Sequence, residues 1–206
     1  ANISGKTPDY IRDIASDIPV FLINGYLQDP RVNCVLADDF QAVYDITEEL
    51  LFAEKKRILF LSNSQSYSAR RKLQGYLDCL KAHGIETDGD LVLYSENSIY
   101  ATRDMLFRRR NLSFDSVIAT EDGLAIGAMK YAAVIGMRVP EEINVIGYNN
   151  SELAIGCSPE LSSVDSRVEV LCKMAIDSLM SLLGGNPAPQ KQLVKCHLVK
   201  RLTTDF

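Results

Sequence analysis

The stretch INVIGYNNSEL, residues 143–153, decides the fold class of this chain. Its first six residues are mostly apolar and include the β-branched Ile143 and Val145, which favours a buried strand. The strand runs directly into two asparagines, and Ser151 then offers the start of a helix. A buried strand, a polar turn and a helix start in such close succession are typical of an α/β unit.

The same unit recurs along the chain. Apolar segments typical of strands occur at 18–24, 33–37, 57–62, 91–95, 116–120 and 162–165, and an extended segment at 191–201 closes the chain. Amphipathic helices are predicted near 8–16, 38–50, 68–84, 98–109, 122–134 and 166–184. We expect Asp38 or Asp39 to cap the second helix, and Gly84 and Gly136 to end the third and fifth. This alternation predicts an α/β fold with a mainly parallel sheet and helices on both faces.

The composition limits the class of protein. The chain has 206 residues, of which 47% are hydrophobic and 24% are charged, as in a globular protein with one or two domains. Its net charge of −5 argues against a surface that coats nucleic acid. Apolar runs stay well short of the about 20 residues that cross a membrane, and no export signal is recognisable at the start. We therefore expect a cytoplasmic protein with no membrane partner.

Residues for catalysis or metal binding form no recognisable motif. The five cysteines lack CxxC spacing, which indicates reduced thiols rather than disulfides or a zinc site. The sequence has no glycine-rich phosphate loop and no GxSxG elbow. His83 and His197 lie away from strand-to-helix junctions, so a catalytic triad has no suitable base. We expect a binding protein without cofactor or metal, and an α/β enzyme acting on ribose or nucleosides is the less favoured alternative.

Polar residues follow five of the predicted strands. They are Asn24 and the segments 63–68, 94–95, 120–122 and 149–150. Ligands of open α/β sheets bind beyond the carboxyl ends of the strands, so these residues predict a site for a small, hydroxyl-rich ligand. The alternative is that these side chains only cap helices and form turns.

Four segments carry a resemblance to a known family. They are SYSARRKLQGYLDCLKAHGI (66–85), ATEDGLAIGAMKYAAVIGMRVPEEINVIGYNN (119–150), SPELSSVD (158–165) and HLVKRLTT (197–204). Together they resemble the effector-binding domain of the lactose/purine-repressor family of bacterial transcription regulators. The resemblance implies a two-lobed periplasmic-binding-protein-like fold with parallel sheets flanked by helices. It also implies a small-molecule effector, a sugar or sugar derivative, in a cleft between the lobes of a homodimer.

The resemblance also implies domain boundaries. The first lobe would comprise 1–37 and 164–197, and the second lobe 38–163 and 198–206. The opening strands of the family's first lobe are missing here, so we expect this lobe to be incomplete. The family's DNA-binding helix-turn-helix is also absent from this chain, and DNA would be bound only through that missing N-terminal domain.

Several positions match the family's ligand-binding positions. By this resemblance, the expected ligand-binding residues are Asn24, Ser68, Lys72, Tyr94, Glu121 and Asn149. Among them, Tyr94 keeps the family's aromatic wall and Ser68 keeps its hydroxyl group.

The other four positions depart from the family's pattern. The family usually has aspartate where this chain has Asn24 and Asn149, arginine in place of Lys72, and commonly asparagine in place of Glu121. Asparagine offers one acceptor and two donors, and lysine lacks the fork of arginine, so contacts to a neutral sugar diol are weakened. We expect a sugar derivative with an amide, amine or acid group, bound by Lys72 and Glu121. The alternative is that these two residues pair and the cleft has lost its ligand.

A second function and an interface also follow from the resemblance. A periplasmic solute-binding protein that serves a transporter shares this fold and is the main alternative. The segments at 158–165 and 197–204 favour the regulator. Segment 153–159, with Ile155 and Cys157, is a candidate dimer contact on the second lobe.

Overall fold

Two β-sheets with flanking helices make up the computed structural model, which describes residues 7–109 and 111–206. The elements in chain order are α1 (Thr7–Asp17), β1 (Val20–Ile23), β2 (Val32–Ala37), α2 (Asp39–Phe52), β3 (Ile58–Ser62), α3 (Tyr67–Ala82), β4 (Val92–Tyr94), α4 (Ile99–Arg108), β5 (Ser116–Ala119), α5 (Asp122–Ile135), β6 (Asn144–Tyr148), α6 (Glu152–Gly156), β7 (Ser162–Asp165), α7 (Val168–Leu183), β8 (Lys191–Val194) and β9 (His197–Val199). The predicted α/β fold with parallel sheets is confirmed.

The large sheet has six strands in the order β4-β3-β5-β6-β7-β9. Its strands are parallel except for β9, which pairs antiparallel with β7. Every residue of β3, β5 and β6 is buried, because helices cover both faces of the sheet. This double burial explains why these strands read as continuous apolar runs.

The small sheet has three parallel strands in the order β1-β2-β8. Its centre, β2, is mostly buried, whereas β1 contains no buried residue. Helix α7 packs on β1 and β2 but buries only Leu171 and Ala175, and α1 has no buried residue. The small sheet is therefore much less enclosed than the large one.

The chain passes between the two sheets three times. The first crossing follows Ala37, the second lies between β7 and α7, and the third separates β8 from β9. The closing segment 191–201, predicted as one extended stretch, is thus two short strands in different sheets, divided near Cys196. Residues 164, 165 and 197, which the predicted boundaries assign to the first lobe, are strand residues of the large sheet.

Helix ends follow the expected chemistry. The Asp38 carboxylate caps α2 by accepting a hydrogen bond from the Gln41 amide at 3.3 Å, while Asp39 is the first helical residue. Gly136 ends α5 in a left-handed conformation (φ 80°), which glycine adopts without steric cost. In the described ranges, no helix combines the length and apolar character needed to cross a bilayer.

Candidate functional site

The carboxyl ends of β5 and β6 bring two predicted ligand-binding residues together. The Asn149 side-chain amide donates a hydrogen bond to Glu121 Oε2 at 2.6 Å. Both residues line a cavity of about 520 Å³. The rest of its wall consists of Asn97, Ser98, Ile99, Tyr100, Asp122, Gly123, Tyr148, Ser151 and Leu153. The cavity has the size and the mixed polar and aromatic lining that suit a small ligand.

Asp122 holds the floor of this cavity in place. Its Oδ2 accepts hydrogen bonds from the Ser151 amide at 2.8 Å and the Ser151 hydroxyl at 2.7 Å, and its Oδ1 accepts one from the Ser163 hydroxyl at 2.6 Å. Asp122 is only 2% exposed. A side chain at Gly147 would collide with Asp122, so glycine at this strand position permits the close approach. Asp122 is a structural anchor that the sequence pattern placed at a strand end without revealing its partners.

Glu121 has a less complete set of partners than Asp122. Within the described chain, the Glu121 carboxylate accepts one hydrogen bond, which comes from Asn149. Burial raises the pKa of Glu121, and the positive charge of Lys72 opposes that rise. The carboxylate therefore keeps acceptor capacity at the cavity wall.

Lys72 lies behind this wall and not on it. The side chain is 4% exposed, and its ammonium group donates to the Thr120 carbonyl at 3.2 Å. The same ammonium lies 3.4 Å from the centre of the Tyr148 ring, a cation–π contact. Burial lowers the pKa of Lys72, although Asp39, Glu121 and Asp122 act in the opposite direction. In the described chain, no ion pair within 4.0 Å joins Lys72 to Glu121.

Tyr148 connects the cavity to two of the crossings between the sheets. Its hydroxyl donates to Asp39 Oδ1 at 2.6 Å and lies 3.6 Å from the Cys196 sulfur. Asp39 follows the first crossing and Cys196 lies in the third. We call Asp39, Lys72, Tyr148 and Cys196 the crossing cluster. Sequence reasoning missed it, although a tyrosine in a fully buried strand was a signal, since its hydroxyl needs a partner.

The remaining predicted site residues lie outside that cavity. Asn24 directly follows β1, and its side-chain oxygen accepts a hydrogen bond from the Ala37 amide at 3.4 Å, beside the first crossing. Ser68 lies half-buried in the first turn of α3, and Tyr94 ends β4 with 48% exposure. The structure thus joins Glu121 and Asn149 directly, with Lys72 behind them, and leaves these three apart. The six assignments stay predictions.

Three strand-end asparagines have left-handed backbones. Their φ angles are 52° at Asn24, 94° at Asn149 and 47° at Asn150. Asparagine tolerates this conformation better than most residues, which gives it a turn-forming reason to occupy these positions. Asn150 is tied into the fold, because its backbone N–H donates to the Ser163 hydroxyl at 2.9 Å and its side-chain oxygen accepts from Arg201 at 2.6 Å. Of the neighbouring pair, Asn149 is therefore the one that faces the cavity.

An aromatic contact connects the small-sheet side of the molecule with the large-sheet side. Tyr26, which follows β1, packs on Tyr67, the first residue of α3, with ring centres 4.7 Å apart. The Lys191 ammonium of β8 donates to the Tyr67 hydroxyl at 3.1 Å and lies 5.1 Å from the Tyr26 ring. This aromatic and cationic contact ties the small-sheet side to the large-sheet side.

Comparison with known proteins gives a consistent family. The family model described as "Periplasmic binding protein-like domain" matches residues 47–204. An HTH-type transcriptional regulator from Lachnoclostridium phytofermentans is 43% identical over 203 residues, which cover 98% of this chain and 61% of that protein. The chain therefore spans about three fifths of the length of this curated relative.

Solved structures agree with that assignment. The crystal structure of the Escherichia coli transcriptional repressor AscG superposes with a TM-score of 0.83 at 28% identity, over 95% of this chain and 73% of that one. A LacI-family regulator from Escherichia coli, described as sugar-binding and complexed with phosphate, gives the same TM-score and identity over 95% of this chain and 72% of that one.

Proposed function

Because this chain belongs to the family of periplasmic binding protein-like domains, and its relatives are transcriptional regulators, we propose that it senses an effector for a bacterial transcriptional regulator. The effector is a small molecule, a sugar or sugar derivative, bound where the strand ends of the two lobes meet. DNA binding belongs to a helix-turn-helix domain outside this chain. The relatives favour this function over a transporter's solute-binding protein, and with it a cytoplasmic, non-enzymatic role.

One observation carries the proposal. Glu121 and Asn149, hydrogen-bonded at 2.6 Å, form the polar wall of a cavity at the carboxyl ends of adjacent parallel strands. This is the place where open α/β sheets bind their ligands. We assign ligand contact to these two residues and, in the closed domain, to Asn24, Ser68 and Tyr94. Lys72 acts from behind the wall by fixing Tyr148 and Thr120.

The crossing cluster offers a route from ligand to lobe movement. Tyr148 directly precedes Asn149 and bonds Asp39 at the first crossing. A ligand that pulls on Asn149 therefore acts on the first crossing, about which the lobe built on the small sheet would rotate relative to the lobe built on the large sheet. Hinge closure of this kind changes the relative positions of the lobes, and through them the DNA-reading domains of a dimer.

The dimer contact is proposed at α5 and α6. A groove of about 790 Å³ between them is lined largely by apolar residues and includes Leu153 and Cys157. Leu153 is 51% exposed and the neighbouring Ile155 is 56% exposed. Light scattering on the chain is expected to give a homodimer, and Ile155→Glu is expected to give a monomer, whereas Phe52→Glu, at the exposed end of α2, leaves the mass unchanged. A monomeric mass for the unsubstituted protein in light scattering would contradict this interface.

A thermal-shift panel tests the ligand class. The purified chain is heated with neutral hexoses and pentoses, sugar phosphates, amino sugars, sugar acids and purines. A ligand at 100 times its Kd adds about 2.7 kcal/mol, or about 5 °C or more for a chain of this size. We expect a sugar or sugar derivative to raise Tm, Asn149→Ala to abolish the rise, and Asn186→Ala, in an exposed loop, to retain it. A response to purines alone, or to nothing, would contradict the proposal.

A further inference from the structure

We propose that the cavity at Glu121 and Asn149 selects a sugar derivative that carries a positively charged amine, in preference to neutral sugars and sugar acids. This inference rests on the proposed function and narrows its ligand class. It depends on which charges face the cavity, which groups already have partners, and where Lys72 lies.

The cavity wall carries negative charge without a cation. Glu121 and Asp122 line it, and none of the lining residues in the described chain is lysine, arginine or histidine. Arg103, whose guanidinium lies 5.2 Å from the centre of the Tyr100 ring, is already paired with Asp104 at 2.6 Å. An acidic ligand would meet these carboxylates with no exposed partner for its own charge, which is costly.

The buried cation does not remove this excess. Lys72 interacts electrostatically with Asp39, Glu121 and Asp122, so three carboxylates surround one ammonium group. Its ammonium is committed to the Thr120 carbonyl and the Tyr148 ring, and the side chain is 4% exposed. A ligand in the cavity thus meets a net negative field, which a positive group on the ligand would relieve.

The hydrogen-bonding groups that remain available at the cavity wall also favour an amine. Asp122 accepts three hydrogen bonds from Ser151 and Ser163, so it is satisfied within the fold. Asn149 donates one of its two side-chain N–H groups to Glu121, which leaves its carbonyl oxygen as an acceptor and the second N–H as a donor. The wall therefore presents carboxylate and carbonyl oxygens. An ammonium group, which has three donors and no acceptor, complements them better than a hydroxyl or a carboxylate.

An aromatic face lies next to these oxygens. Tyr100 lines the same cavity and is 62% exposed. A tyrosine ring packs against the apolar face of a sugar, and its π surface also favours a nearby positive charge. The wall thus provides both a stacking surface for a sugar ring and acceptors for its amine.

Matched ligands test the charge directly. Titration calorimetry on the purified chain would compare glucosamine, galactosamine and mannosamine with their parent hexoses, their N-acetyl derivatives and glucuronate. We expect at least one amino sugar to bind about tenfold or more tightly than its neutral parent and its N-acetyl form, as one charge-assisted hydrogen bond predicts. Glucuronate is expected to bind more weakly than any of them.

Paired variants test the residue. Glu121→Gln keeps the shape and removes the charge, so it is expected to weaken amino-sugar binding about tenfold more than binding of the parent hexose, which abolishes the preference for the amine. Glu96→Gln, at an exposed carboxylate just before α4, is the control and is expected to retain the preference.

The outcomes separate the two proposals. Equal binding of amino sugar and parent hexose, preferred binding of glucuronate, or an amine preference that survives Glu121→Gln would overturn this inference and leave the sugar sensor standing. Failure of every sugar and sugar derivative to bind would overturn both.

Discussion

Strand β6 of the large sheet and strand β1 of the small sheet are both short and apolar, yet their surroundings differ. Ile146 in β6 is fully buried, whereas Ile23 in β1 is 39% exposed. The small-sheet side has a charged contact at its surface, where Arg31 makes a two-pronged contact with Asp29 at 2.7 and 2.9 Å and Arg12 approaches the same carboxylate. Apolar sequence alone does not stabilise a strand; both faces must also be covered.

The largest expected difference comes from a matched pair of isoleucines. Ile146→Ala removes buried methyl groups and leaves a cavity, so we expect it to lower the free energy of unfolding by about 2–5 kcal/mol. Ile23→Ala removes contacts that are already partly hydrated, and we expect a cost below about 1 kcal/mol. Urea unfolding followed by circular dichroism measures both. Equal costs would mean that the two sheets are enclosed to the same degree.

A tyrosine pair sharpens the comparison for polar groups. Tyr148→Phe leaves the Asp39 carboxylate, which is 3% exposed, without its donor at 2.6 Å. We expect a loss of about 1–3 kcal/mol in urea unfolding. Tyr10→Phe in α1, at a side chain 66% exposed, is the control and should change stability by less than about 0.5 kcal/mol. An unchanged Tyr148→Phe variant would show that water replaces the hydroxyl.

Lys72 gives the large-sheet side a distinct pH dependence. Burial lowers its pKa from the ordinary 10.5, so above the folded-state pKa the unfolded chain binds more protons than the folded chain. Stability from this group therefore rises with pH up to about 10.5. We expect the wild type to gain stability relative to Lys72→Met over that window in urea titrations at several pH values. A difference that does not vary with pH would contradict a depressed lysine pKa.

Asp29 gives the small-sheet side the smallest effect, and at the acid end. Hydrogen bonds from Arg31 lower the pKa of Asp29 from 3.8 to about 2. Its contribution is therefore present above 3.8 and lost as the pH falls towards 2. We expect the wild type to exceed Asp29→Asn modestly at pH 5 and to lose that advantage in acid, since Arg31 is partly exposed. Thermal melts of both proteins between pH 5 and pH 2 measure this, and an advantage of the wild type that persists unchanged in acid would contradict the lowered pKa of Asp29.

The fold could be predicted from the sequence because its signals are local. Apolar runs mark the strands, the Asp38 cap starts α2, and Gly136 ends α5. The division of 191–201 between two sheets has no local signal, because its residues are uniformly compatible with extended structure, and only the family resemblance predicted a boundary there, between 197 and 198. What separates β8 from β9 is their pairing with distant strands.

The site was only partly predictable for a similar reason. Strand-end positions correctly placed Glu121 and Asn149 near each other, because adjacent parallel strands end at the same edge. The burial of Lys72 depends on Tyr148 and Asp39, which come from other elements. A charged residue on a helix carries no local sign that it will be enclosed.

The contact between Tyr26 and Tyr67 also gives the molecule an optical property. The sequence has nine tyrosines and no tryptophan, so no tryptophan signal overlaps the tyrosine bands in its near-ultraviolet spectrum. These two rings, 4.7 Å apart, belong to the two proposed lobes and are held together beside Lys191. Separation of the lobes would part them and change the near-ultraviolet dichroism that fixed packing produces. Under the proposed hinge movement, this tyrosine pair would act as an unlabelled spectroscopic reporter of opening.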